Sequence, residues 1–181
     1  MFSHKRSFDI LLLGGASGTG KTTAAYQISK YYKINVVQVD DFQCLVENAT
    51  KESYYPVFHY WKNHFNEAIK QTMDKKLEIM ISYANELSKL LELVVMNHLN
   101  ENTPMILEGD FISPNLCKKL LTNSQIGNRI KCCIITENST NQIISNYHKR
   151  EGSIQEDRAE LSQKYNNWLI QEAKGSDISI V

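Results

Sequence analysis

Gly15-Ala16-Ser17-Gly18-Thr19-Gly20-Lys21-Thr22 fits the pattern G-x-x-x-x-G-K-[ST] at every fixed position. An apolar run from Phe8 to Leu13 leads into Gly14-Gly15, and Lys21 to Tyr32 has helical spacing. The stretch therefore reads as strand, glycine-rich turn and helix, the opening of a β-loop-α unit. At average residue frequencies such a string arises by chance in about one of a hundred chains this long, and the strand-to-helix context makes it rarer still. Glycines at these positions let consecutive backbone N–H groups point inward around phosphate oxygens, and the helix adds its positive end. Gly15, Ala16, Ser17, Gly18, Thr19 and Gly20 are thus expected to cup a polyphosphate. Lys21 would bridge its β- and γ-phosphates, the Thr22 hydroxyl would ligate Mg²⁺, and Thr23 would bond the α-phosphate. The alternative is a plain turn with a solvated lysine, which three glycines in six residues serve poorly.

Further runs extend the pattern. Ile34 to Val39 ends in Asp40-Asp41, Pro104 to Leu107 in Glu108-Gly109-Asp110, Ile130 to Ile135 in Thr136-Glu137, and Ile178 to Val181 completes a set of about five. Short apolar runs alternating with helical segments predict an α/β, three-layer architecture, a parallel sheet covered on both faces, in one domain over residues 1–181. The second strand is expected to lie beside the first. About 60 residues separate the second run from the third, far beyond a simple crossover, so 41–103 reads as a helical insertion. Its second half repeats apolar residues from Leu77 to Leu99 at the spacing of one long amphipathic helix. Thr140 to Lys149 and Asp157 to Ala173 are helical, and the polar Arg150-Glu151-Gly152-Ser153 break between them predicts a lid over 149–158.

Charge and composition narrow the partners. The 181 residues carry 20 Lys+Arg against 20 Asp+Glu, so no overall field draws in nucleic acid or an anionic membrane, and an anionic ligand must be caught locally. Cys44, Cys117, Cys132 and Cys133 form no C-x-x-C pair and read as reduced, mostly buried thiols of a cytoplasmic protein. His4-Lys5-Arg6 before Ile10 to Leu13 superficially resembles a signal peptide, but Asp9 and the glycines leave the apolar run too short. No run approaches a membrane span.

Carboxylates at strand ends point to the rest of the site. Asp40 is expected to accept the proton of an acceptor hydroxyl and orient it toward the γ-phosphate; Asp41 either joins it at the substrate or caps the following helix. Glu108 is placed near the metal and Asp110 near the substrate, with one of the two as an alternative cap for the helix beginning near Pro114. Arg150 and Arg158, with Lys149, suit a lid that closes over the triphosphate, since an Arg fork binds phosphate oxygens bidentately. Arg158 paired with Glu151, Glu156 or Glu160 is the simpler alternative. Tyr54-Tyr55-Pro56, His59, Trp61, His64 and Phe65 are better read as packing than as an acceptor wall.

No N-K-x-D string is present, the third run lacks an Asp-Glu ending, and Thr23 stands where a G-x-G-x-x-G fingerprint needs its last glycine. GTPase, hydrolytic ATPase and dinucleotide readings are thereby disfavoured. Gly15 to Thr23, Asp40-Asp41, the Leu107-Glu108-Gly109-Asp110 ending and the Arg150 break together resemble a small-molecule P-loop kinase, most nearly the 2-phosphoglycerate kinase-like group. The resemblance implies a nucleoside-kinase-like fold with ATP, Mg²⁺, a substrate-binding insertion and a closing lid. In similar kinases residues beyond the fifth strand help form the adenine pocket, and here that run reaches Val181. The expected activity is transfer of the γ-phosphoryl group of ATP to a hydroxyl of a small metabolite, with no nucleic-acid or membrane partner. Antibiotic or nucleotide-sugar phosphorylation, a non-catalytic ATP-binding regulator and a nucleic-acid-linked ATPase are the alternatives.

Overall fold

The computed structural model describes residues 6–181; the His4-Lys5 stretch read above lies outside them. In chain order the elements are β1 (Ile10–Gly14), α1 (Lys21–Tyr32), β2 (Asn35–Gln38), α2 (Val39–Ala49), α3 (Pro56–Asn63), α4 (Phe65–Ala68), α5 (Met73–Asn100), β3 (Met105–Gly109), α6 (Pro114–Leu121), β4 (Ile130–Ile134), α7 (Thr140–Glu151), α8 (Glu156–Ala173) and β5 (Ser179–Ile180). All five strands run parallel in the order β2-β3-β1-β4-β5.

Period-two alternation assigns the two faces of the sheet. Ile10, Leu12, Met105 and Leu107 pack with α5, α6 and α8 in the larger core, whereas Leu11, Leu13 and Ile106 pack with α1 through Ala25. The long amphipathic stripe forms as α5, in which Leu87, Leu91, Val95 and Leu99 are buried; each such leucine or valine contributes about 1.5–3 kcal/mol by leaving water. Thr72 begins that helix by accepting a bond from the Lys75 amide. A Lys164–Asp74 ion pair at 2.8 Å ties α8 to the start of α5.

Three expectations are corrected. The second strand lies beside β3 and not beside β1: both edges of β1 are taken, by β3 and β4. β3 is buried at every residue and so fits an interior position, while the four-residue, partly exposed β2 fits an edge. The second strand also stops at Gln38, and Asp40 and Asp41 form the first turn of α2, where negative charge meets the positive helix end. Neither Glu108 nor Asp110 caps α6; the Ser113 hydroxyl does so, accepting from the Leu116 amide.

Candidate active site

The turn from β1 into α1 rises at the C-terminal edge of the sheet. Gly18 has φ +83°, a conformation L side chains rarely adopt, and a Cβ there would also stand 2.9 Å from Ile143. α1 begins at Gly20 with no side-chain cap, so its first amides remain available to a ligand. Thr19 closes the loop internally, its hydroxyl donating to the Ala16 carbonyl at 2.9 Å.

Beyond the loop, Gly109 allows α2 to approach β3 so closely that a Cβ on it would collide with Val39. That approach brings Asp40 toward Glu108 and Asp110. Lys21, only 7% exposed, forms an ion pair with Asp110, and Thr22 donates to Glu108 Oε2 at 3.3 Å. A cleft of about 600 Å³ opens here, lined by Lys21, Thr22, Thr23, Asp40, Glu108 and Arg150, with Gly18, Gly20 and Lys149 around them.

Electrostatics in the cleft are those of crowded carboxylates. Asp40 is held above the usual carboxylate range first by desolvation and then by the charge of Asp110, with Lys21 opposing. Its side chain is open to water on one side, so the desolvation arises from the protein wall behind it and not from full enclosure. Glu108, 4% exposed, is likewise raised by burial, while Lys21 and the Thr22 hydrogen bond pull the other way.

Thr22 and Glu108 fit the chemistry of Mg²⁺. Two oxygen donors, one a buried carboxylate, suit a cation that takes one or two protein oxygens and completes its shell with phosphate and water. Among the described residues no cluster of three or more His, Cys, Asp or Glu forms an all-protein metal site.

The break between α7 and α8 covers residues 152–155, with Gly152 at φ +75° ending α7. Arg150 therefore stays helical, in the last turn. Arg150 and Arg158 both bond Glu151, at 2.5 and 2.9 Å, and both lie over the Tyr147 ring, at 5.3 and 4.5 Å from its centroid. Hydrogen bonds from Gln155 and then Arg150 push the Glu151 pKa down to about 2. Arg158 also approaches the Ser17 hydroxyl at 3.5 Å.

A second chamber of about 500 Å³ adjoins the first across the Lys21–Asp110 pair. Trp61, Phe65, Met80, Phe111 and Leu161 give it apolar walls, and Asp110, Ser17 and Arg158 also face it. The expectation that Trp61 and Phe65 are packing residues is corrected, because α3 and α4 place them on this chamber's wall. His59 matches the packing reading: it is buried, with Nε2 3.0 Å from the Thr50 hydroxyl.

The structure thus brings Gly18, Gly20, Lys21, Thr22, Thr23, Asp40, Glu108 and Arg150 around one cleft and puts Asp110 at the boundary between chambers. It does not bring Asp41 to either chamber, nor Gly15, Ala16 and Thr19 to the cleft surface, and Ser17 faces the second chamber. Sequence reasoning missed Asn146, whose side-chain amide donates to the Gly18 carbonyl at 2.8 Å and fixes the loop to α7. Its signal was its position one helical turn before Arg150. Tyr147 was also missed; it is fully buried and lies 2.7 Å from the Ser162 hydroxyl.

A model of the isopentenyl transferase family matches residues 8–151. A 2-phosphoglycerate kinase of Methanopyrus kandleri is 29% identical over 120 residues, 63% of this chain and 36% of that protein. The chain thus spans little more than a third of that curated relative. A gluconokinase from Sinorhizobium meliloti 1021 superposes with a TM-score of 0.55 at 14% identity, over 98% of this chain and 83% of its own. A shikimate kinase from Acinetobacter baumannii, in complex with shikimate, does so with a TM-score of 0.51 at 14% identity, over 97% and 84%. These structural likenesses show the fold, the parallel P-loop kinase layout expected from the sequence.

Proposed function

We propose that this chain, which belongs to the isopentenyl transferase family of P-loop proteins, takes up ATP with Mg²⁺ and moves the γ-phosphoryl group to a hydroxyl of a small metabolite. The observation that carries this reading is the convergence of Lys21, the Thr22–Glu108 pair, Asp40 and Arg150 on one cleft at the end of β1 and β3. The second chamber lies beside them, across Asp110.

In this reading the loop amides and Lys21 grip the triphosphate, which requires Lys21 to leave Asp110 when nucleotide enters. Thr22 and Glu108 would hold Mg²⁺, which when bound would supply positive charge against the charge gathering on the leaving oxygen. The acceptor oxygen bonds to the γ-phosphorus as the bond from that phosphorus to the β–γ bridging oxygen breaks. ADP leaves with the bridging oxygen, and the acceptor's proton passes to the Asp40 carboxylate, whose raised pKa makes it the better base. Arg150 closes over the transferred group from the end of α7, and Arg158 reaches it from the start of α8. The 29% identity to a 2-phosphoglycerate kinase supports an anionic metabolite as acceptor.

The family match favours a second reading, isopentenyl transfer, in which the same loop holds a diphosphate leaving group and the apolar chamber holds the five-carbon chain. Phosphorus NMR separates the two. ATP incubated with a panel of hydroxyl metabolites gives acceptor-dependent ADP and a new phosphate ester in the first reading. An allylic five-carbon diphosphate, whose C–O bond breaks as the acceptor bonds to that carbon, releases pyrophosphate with an acceptor in the second, and ATP uptake with neither product contradicts both.

A further inference from the structure

Lys76, in the first turns of α5, is 9% exposed, yet its ammonium has no hydrogen bond or ion pair to any described residue. It lines the second chamber among Trp61, Met80 and Phe111. The chamber's other charged groups are already engaged or lie at its mouth. Asp110 is paired with Lys21, Arg158 with Glu151, and Asp157 is exposed and outside ion-pairing distance of Lys76. The stem of Lys76 is buried, while its ammonium meets the open space of the chamber with no protein counter-charge, so an anion entering there is the group left to complete it.

We infer that the second chamber is the acceptor pocket and that Lys76 anchors a carboxylate carried by an acceptor with an apolar, ring-sized body. This deepens the proposed phosphotransfer and rests on it for the identity of the hydroxyl partner. A carboxylate suits the site better than a phosphate. One ammonium balances one negative charge, whereas Asp110 and Asp157 on the chamber wall oppose a dianion. The apolar walls bury the body, and Asp110 stands where the chamber meets the phosphate cleft, so an acceptor hydroxyl that reaches this boundary faces Asp40 and the γ-phosphate position. Lys76 acts on specificity and not on the transferred group.

Calorimetry on the full chain tests this with 3-phenyllactate, its neutral counterpart 3-phenylpropane-1,2-diol, and 2-phosphoglycerate as probes. Phenyllactate is expected to bind the wild type saturably, at least tenfold more weakly to Lys76→Met and Lys76→Gln, and within threefold of wild type to Lys76→Arg. The diol binds all four proteins alike and weakly. A thermal melt of Lys76→Met is expected close to the wild-type midpoint, since Met keeps the buried stem and only an ammonium facing open space is removed. The inference is overturned if phenyllactate fails to bind the wild type, if it binds Lys76→Met and wild type equally, or if 2-phosphoglycerate, which has no apolar body, binds more tightly than phenyllactate. MgATP titrated into the wild type in parallel reads the phosphotransfer proposal separately. Uptake of MgATP without phenyllactate sinks the pocket alone, and Lys76-dependent phenyllactate uptake without MgATP sinks the phosphotransfer reading alone.

Discussion

The two chambers that meet at the Lys21–Asp110 pair are built in opposite ways. The cleft proposed for phosphate is lined chiefly by one short stretch, with Gly18, Gly20, Lys21, Thr22 and Thr23 supplemented by strand-end and helix-end groups, and the first amides of α1 are left open to a ligand. The second chamber is assembled from side chains as distant as Ser17, Trp61, Lys76, Phe111 and Leu161, contributed by the P-loop, three helices and the turn after β3. Every nucleoside triphosphate presents the same tail, so a backbone cup serves all of them. An acceptor is recognised by shape and charge, which only side chains from several elements can match.

The sharpest way to break this comparison is at the boundary. Lys21→Ala is expected to cut phosphoryl transfer by more than about a hundredfold and to abolish MgATP uptake in calorimetry. Phenyllactate uptake by the same variant persists, because the chamber's own anchor is Lys76. Loss of both ligands together would show that the chambers are one site.

Asp40→Asn is expected to lower kcat by about a hundredfold or more while MgATP still binds. A rate near wild type removes Asp40 from the base role. The wild-type rate should fall with decreasing pH on a limb above the ordinary carboxylate range, since the base must be ionised and its pKa is raised. Stability runs the other way. A carboxyl whose folded pKa lies above its unfolded value favours the fold below the unfolded pKa, and that contribution is lost as pH rises through the folded value. Asp40→Asn should therefore melt at a higher temperature than wild type at neutral pH, read by circular dichroism.

How much of this was legible in the sequence divides along the same line. The cup, its lysine and the strand-end carboxylates were readable because consecutive residues fix the turn and because Glu108-Gly109-Asp110 closes an apolar run. The position of β2 at the sheet edge was not, since β3, which takes the place between β2 and β1, arrives only after the long excursion through α2 to α5. The second chamber was hidden for a related reason. Trp61 and Phe65 have the spacing of ordinary core aromatics, and only the packing of α3 against α5, and of α5 against α8, turns them onto a cavity. Lys76 carried no local signal at all.

Two smaller effects sharpen the picture. Asn146→Ala removes the tie between α7 and the Gly18 carbonyl, a bond worth about 1 kcal/mol net, and is expected to raise KM for ATP about fivefold with kcat little changed. Glu151→Gln frees Arg150 and Arg158 from their shared carboxylate. Both arginines then become more available to phosphate, and KM for ATP is expected to fall by no more than about twofold, as suits an exposed ion-pair cluster. A fall in kcat with it would indicate that Glu151 holds the arginines in their working positions.

The central claim is that the loop from Gly15 to Thr22 grips a polyphosphate. Titration of MgATP into the intact folded chain by calorimetry tests it most directly. The account predicts saturable one-site uptake that vanishes in Lys21→Ala, and a flat titration with folded wild-type protein would contradict it.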